Sequence, residues 1–234
     1  MSLSAQQFIT IGVNEGLSDS YVSCIEQDHL GYMWFTTLNG ADKFDGYKFT
    51  SYSLTAFGLN FNSFSYVKED AGGNLWLKSA LDGVYIYDRQ HDMLRSDLGD
   101  AIEGLGVRTV DVVNLFVDQK KNLWLDTEGG LFMRNYEESR TETFFHAAKT
   151  RSVASDGVSS YVSLANGELW QVQPQEKLIS DEKNKSFFQD QLYIDHSGKL
   201  WKYGIGLHFY DPATGQWSSV PENELKILYK DESL

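Results

Sequence analysis

The residues able to do chemistry in this sequence recur at fixed spacings instead of clustering. Asp28, Asp70, Asp118 and Asp195 each stand six residues before a tryptophan, namely Trp34, Trp76, Trp124 and Trp201. Carboxylates that bind calcium or cleave a glycoside must converge on one point. No Asp-x-Asp-x-Asp-Gly loop is present. The run Asp-x-x-Gly, as in Asp28 to Gly31, suits a hairpin better. The Asp oxygen bonds the backbone ahead of it, and Gly takes a positive φ without steric cost. His29, His91, His146, His196 and His208 show neither His-x-x-x-His nor His-Glu-x-x-His spacing. His29 and His196 share a position just after the hairpin Asp and read as exposed turn residues. No phosphate loop and no nucleophile elbow is present. The expectation is therefore no catalytic residue, no metal and no cofactor. Cys24 lies in the strand-like run Tyr21 to Ile25 and reads as a small, at least half-buried hydrophobe.

Composition narrows the partners. The 234 residues hold 20 Lys and Arg against 33 Asp and Glu, a net charge of −13. That argues against nucleic acid and against an anionic membrane surface. The acidic runs Glu137-Glu138 and Asp181-Glu182 read as solvated faces. A hydrophobic content of 41% with 23% charged residues belongs to a folded domain. Three prolines against 20 glycines indicate tight turns instead of extended linkers. No apolar stretch approaches the roughly 20 residues that span a bilayer. Met1 to Ile11 has no basic start and no long apolar run, so no signal peptide is visible.

Stepping outward from each tryptophan gives a repeat. Five of them, Trp170 included, follow Met33, Leu75, Leu123, Leu169 or Leu200. Three before lies Gly31, Gly73, Lys121, Gly167 or Gly198, and nine before Ile25, Val67, Leu115, Tyr161 or Leu192. The Trp-to-Trp spacings are 42, 48, 46 and 31, in the range of propeller repeats. Gly40, Gly83, Gly130 and Gly206 follow, and five residues after each comes Asp45, Asp88, Asn135 or Asp211. Each unit reads as four short antiparallel strands, with Leu-Trp on the second. One such sheet cannot bury both faces alone, so neighbours must stack. The tryptophans are expected in equivalent positions, as core between neighbouring sheets.

The fold expected is all-β, a β-propeller of four-stranded antiparallel blades. About five blades are present, a fragment of a larger ring. Blade 1 is read over 20–53, blade 2 over 62–95, blade 3 over 108–146 and blade 5 over 187–220. Blade 4, over 152–180, is degenerate: Leu164 replaces the Asp and no Gly follows Gln171 to Pro174. It is read as short, with one strand in doubt. Residues 8–12 resemble an outer strand without a blade, and 225–231 a first strand of a sixth blade. The pattern thus predicts a chain cut within a sixth repeat.

These residues resemble the two-component regulator propeller repeat. The first unit carries it best: Gly16-Leu17-Ser18, Tyr21 to Asp28, Gly31-Tyr32-Met33-Trp34-Phe35-Thr36-Thr37, then Gly40 to Phe49. Units two, three and five match well and unit four poorly. The resemblance implies a seven-bladed, periplasmic sensor region of a bacterial receptor in the inner membrane. It implies an oligosaccharide ligand, a transmembrane helix outside this stretch, a histidine kinase or a diguanylate cyclase as output, and a homodimeric receptor.

Up-and-down strands put the second-to-third and fourth-to-first loops at one end of each sheet, and the Asp-x-x-Gly hairpins at the other. Ring mouths are common ligand positions. The polar and aromatic residues of the loop end are Tyr21, Asn39, Asn62, Asp82, Arg108, Glu128 and Tyr203. Aromatic faces stack on sugar rings, while Asn, Asp and Arg bond hydroxyls. One ring of Phe144-Phe145 or Phe187-Phe188 could also face outward. Three functions are open at this point: a ligand sensor, a protein-interaction or dimerisation scaffold, and an enzyme. The last needs converging His and carboxylates, which the repeat does not supply.

Overall fold

The computed structural model describes residues 10–81, 83–144, 148–179, 191–204 and 206–221. They form five sheets of four strands each. Blade 1 comprises β1 (Val22–Gln27), β2 (Met33–Thr37), β3 (Gly40–Phe44) and β4 (Phe49–Tyr52). Blade 2 comprises β5 (Phe64–Glu69), β6 (Leu75–Ser79), β7 (Val84–Asp88) and β8 (Met93–Arg95). Blade 3 comprises β9 (Val112–Val117), β10 (Leu123–Thr127), β11 (Gly130–Asn135) and β12 (Arg140–Phe144). Blade 4 comprises β13 (Thr150–Ser155), β14 (Ser160–Leu164), β15 (Leu169–Gln173) and β16 (Lys177–Leu178). Blade 5 comprises β17 (Gln191–Ile194), β18 (Leu200–Gly204), β19 (Gly206–Asp211) and β20 (Gln216–Ser219). Within each blade every strand pairs antiparallel with the next in sequence.

The first hairpins follow from their Asp residues. Asp28 Oδ1 accepts from the backbone amides of Leu30 and Tyr32, each at 3.0 Å. Gly31 closes the turn at φ 89°. In blade 3 the same turn holds Lys121 at φ 61°, a conformation L side chains adopt at a cost. The later turns use the same chemistry: Asp45 Oδ1 accepts from Tyr47 and Lys48, and Asp88 Oδ1 from Gln90 and His91.

The chain divides into two compact units, 1–109 and 110–234. In the first, Trp34, Ala41 and Tyr52 of blade 1 pack against Val67, Leu75, Leu77, Tyr85 and Tyr87 of blade 2. Cys24 is a free, half-buried thiol against this core. In the second unit, Trp124, Leu131, Met133 and Phe144 of blade 3 meet Val153, Val162 and Leu164 of blade 4. A further cluster joins Ala154 and Tyr161 of blade 4 to Leu192, Ile194, Leu200 and Tyr210 of blade 5. Trp34, Trp76 and Trp124 are fully buried. Burying one such ring removes about 200 Å² from water, worth about 5 kcal/mol.

Blade 4 corrects the expected register. It keeps all four strands, the last only two residues long. Trp170 lies on the third strand, whereas the other four repeat tryptophans lie on the second. Its hairpin, with Gly167 at φ 90°, joins strands two and three. The first hairpin of blade 4 is instead built by Asp156, whose Oδ1 accepts from Val158 and Ser159, both at 2.8 Å. This turn is one residue shorter than that of Asp28, because Asp156 pairs with Ser159 where Asp28 pairs with Tyr32. Tyr161, opposite Ala154 and fully buried, thereby takes the tryptophan place. It faces blade 5 as Trp34 faces blade 2. Trp170 looks the other way, onto the blade 3 core.

Phe144 is buried and stacks on Trp124 at 5.5 Å, so it does not face outward. Residues 8 and 9 of the expected outer strand, together with Asp82, Phe145, His146, the run Asp181-Glu182, Phe187-Phe188 and the strand at 225–231, lie outside the described residues, and residues 10–12 form no strand.

Candidate functional site

The hairpin aspartates spend their second oxygen on tryptophan. Asp28, Asp70, Asp118 and Asp195 Oδ2 accept the indole N–H of the tryptophan six residues on, at 3.0, 2.7, 2.9 and 2.6 Å. One carboxylate therefore closes the turn and orients the core ring. Each is committed to structure, which answers why the repeat needs Asp. Their surroundings differ. Burial pushes the Asp28 carboxyl up, but Arg89 and the Trp34 indole outweigh it and hold it below the usual range. Burial of Asp118 wins over its hydrogen bonds and pushes its carboxyl up.

Between blades 1 and 2 the hairpin end is filled by a polar network. Arg89 Nη1 donates to Asp28 at 2.9 Å and Nη2 to Glu69 at 2.7 Å. His29 meets the same Glu69 through its backbone N–H at 2.9 Å and its Nδ1 at 2.6 Å. Beside it Lys43 lies over the rings of Tyr32, Trp34, Tyr52 and Tyr87 at 5.1–5.8 Å. Its ammonium donates to Tyr87 Oη at 2.7 Å and to Asp92 at 2.6 Å. The lysine thus occupies a cation-binding aromatic cage from within.

At the opposite, loop end, the expected contact residues take separate roles. Asn62 Oδ1 accepts from Ser53 Oγ at 2.7 Å and from the Leu54 amide at 3.1 Å, which holds the chain between blades 1 and 2. Asn39 Nδ2 donates to the Ser18 carbonyl at 3.3 Å, and its own amide is fixed by Thr37. Tyr21 is exposed, with its amide bonded to Asp19. Arg108 and Glu128 are exposed. Tyr203 is half exposed on blade 5 and lines an open, largely apolar cleft of about 480 Å³ with Leu192, Tyr193, Trp201 and Leu207. The backbone beneath the loop end is fixed by buried Asp42, which accepts from the amide and hydroxyl of Ser18 and from Ser51. In blade 3, Asp126 holds the Thr150 amide similarly at 2.9 Å. Residue type alone did not single out Asp42 and Asp126; their near-zero exposure does.

A second cleft, of about 390 Å³ and polar, opens at the hairpin end between blades 3 and 4. Its walls include Asn135, Arg140, Glu142 and Gln173. Among the described residues, no three His, Cys, Asp or Glu side chains converge as metal ligands. No described helix is long and apolar enough to cross a membrane.

Five four-stranded antiparallel sheets, stacked within each unit and built on one hairpin plan, define the blades of a β-propeller. Residues 16–39 match the family described as two component regulator propeller. The first repeat of the chain is of that type. No curated protein matches the chain. Solved structures do. The extracellular domain of what is described as the hybrid two component system BT3049 from B. thetaiotaomicron is 20% identical with a TM-score of 0.64, over 90% of this chain and 31% of that one. The extracellular domain of the one component system BT4673 from the same organism is 18% identical with a TM-score of 0.58, over 88% and 31%. A catalytically inactive virginiamycin B lyase from Staphylococcus aureus is 10% identical with a TM-score of 0.59, over 86% and 69%. The chain spans under a third of the length of the first two. At these identities the likeness establishes the fold alone.

Proposed function

We propose that this chain is part of the extracytoplasmic ligand-sensing region of a bacterial two-component receptor. The observation that carries the reading is the first repeat, Gly16 to Asn39, whose residues match the two component regulator propeller. The remaining blades extend its hairpin plan, and extracellular domains described as belonging to hybrid two component systems share the fold over most of the chain. In this reading the ligand is an oligosaccharide, and the propeller itself is not catalytic. The region stands in the periplasm and passes the event through a membrane helix elsewhere in the receptor to a histidine kinase, in a homodimer. Binding signals only if it favours one of two receptor arrangements. In the first unit Tyr21, Asn39 and Arg108 offer a ring and hydrogen-bonding groups to a sugar, over a backbone that Asn62 holds; in the second, Glu128 and Tyr203 offer theirs on blades 3 and 5.

One observation favours a second reading, a protein-binding propeller without a small ligand. Tyr193 and Tyr203 are each about half exposed, 50% and 49%, beside Trp201 on one face of blade 5. This face corresponds to the one through which Trp34 meets blade 2, so it suits either a further blade or a protein partner. The parent gene decides between the two. Further repeats, a membrane helix and a kinase domain support the receptor; a gene that encodes the propeller alone overturns it and leaves the scaffold.

A further inference from the structure

The blade 3–blade 4 cleft exists because a position filled elsewhere in the molecule is left empty there. Strand register makes the two junctions comparable. Trp34 corresponds to Trp124 and Gly40 to Gly130, which aligns Tyr32 with Asn122 and Lys43 with Met133. Glu69 and Ser155 each end a first strand just before the hairpin Asp. Tyr87 and Val172 sit on third strands and face the preceding blade. Arg89 and Pro174 each follow a third strand directly. At the first junction Tyr32, Lys43, Glu69, Tyr87 and Arg89 fill the space with rings and ion pairs. At the second, Asn122, Met133, Ser155, Val172 and Pro174 stand in their places, most of them far smaller. The result is a cleft of about 390 Å³, within the size range of small-molecule sites.

Its polar wall is held in advance. Glu142 accepts from Arg140 Nη2 at 2.9 Å and from Gln173 Nε2 at 2.8 Å. Gln173 Oε1 accepts from Ser160 at 2.6 Å, and Arg140 also pairs with Glu138. Groups fixed this way lose little freedom when a ligand arrives. Two carboxylates flank one guanidinium, which disfavours an anion; the guanidinium disfavours a cation; and the amides and carboxylates disfavour an apolar ligand. Acceptors and donors side by side suit vicinal hydroxyls, each of which donates and accepts.

We propose that this cleft, at the end of the sheets opposite the loop end, binds a neutral, hydroxyl-rich ring, a single sugar unit. The choice of a sugar within that class rests on the receptor reading above; the cleft does not. Val158, 74% exposed at its rim, offers a clean test. The chain is titrated with glucose, galactose, mannose, xylose, maltose and cellobiose, with glucuronate as the anionic probe, while amide NMR shifts are followed. The expected result is a saturable shift of Gly157, Val158 and the Gln173 side chain with a neutral sugar and none with glucuronate. Val158→Trp plugs the mouth and lowers affinity at least about tenfold. Val172→Tyr, which restores the bulk of Tyr87, does the same from inside. Because Val172 touches the core, Val158→Trp is the variant that keeps the test sound if the other misfolds. No saturable shift with any neutral sugar overturns the proposal, and so do shifts that survive Val158→Trp unchanged. Oligosaccharide-dependent output from the intact receptor without cleft binding overturns the cleft and spares the receptor reading. Cleft binding without any such output does the reverse.

Discussion

Trp170 donates its indole N–H to Glu168, two residues before it, at 3.0 Å. The other four repeat tryptophans reach an aspartate six residues back. Trp170 stands on the third strand of blade 4, so no hairpin aspartate lies six residues before it, and the ring bonds an acceptor on its own strand approach. The two bonds differ in cost. The Trp124–Asp118 bond is buried and the same carboxylate closes the hairpin. Asp118→Ala leaves a buried indole donor and open turn amides, and is expected to destabilise by about 2–4 kcal/mol. Asp118→Asn keeps an acceptor and costs less. Glu168→Ala, at a half-buried ring, costs under about 1 kcal/mol. Urea midpoints at constant slope rank the three.

Lys121 occupies the left-handed position that Gly31, Gly73 and Gly198 hold in the equivalent turns. Lys121→Gly relieves that strain and is expected to stabilise by about 0.5–1 kcal/mol, after the added freedom of the unfolded chain is subtracted. A lowered thermal midpoint contradicts the assignment of strain to this turn.

Arg89 stands between two buried carboxylates, Asp28 and Glu69, whose side chains are 0% and 1% exposed. Arg89→Ala leaves both without their cation and is expected to cost about 3–5 kcal/mol in the first unit. Arg89→Lys does not restore stability, because one ammonium cannot reproduce the two-armed bridge. Denaturation of the two variants, followed by probes in blades 1 and 2, checks this.

Acid loosens the same unit. Hydrogen bonds from Lys43, Tyr52 and Tyr87 lower the Asp92 carboxyl from 3.8 to about 2. A carboxyl lowered by folding contributes stability above its unfolded value, and the contribution is lost as pH falls through the folded value. The window is therefore pH 3.8 down to about 2. Asp92→Asn is expected to flatten the fall in stability across that window and to lower stability at neutral pH. A variant that keeps the wild-type acid profile contradicts the assignment.

The first-strand hairpins, the Leu-Trp strands and the stacking of sheets were legible because Asp, Gly and Trp are each required there by a local physical demand. The register of blade 4 was not. Gly167-Glu168-Leu169-Trp170 satisfies the local pattern one strand too late. The uneven spacings of 46 and 31 around Trp170 carried the signal: with Tyr161 in its place they become 37 and 40. At the loop end, Asn39 and Asn62 were legible as loop residues, but amides that bond hydroxyls also bond backbone, and there they secure the turn. The blade 3–blade 4 cleft was hidden because it comes from lost bulk at Ser155, Val172 and Pro174, visible only once the two junctions are aligned in register.

The receptor reading is tested most directly by phosphorylation. Membranes carrying the intact parent protein are mixed with labelled ATP and a panel of oligosaccharides, and phosphate on the parent protein is measured. The account predicts that one oligosaccharide class changes phosphorylation saturably. A parent protein with no phosphotransfer, or with phosphotransfer that no oligosaccharide alters, would contradict it.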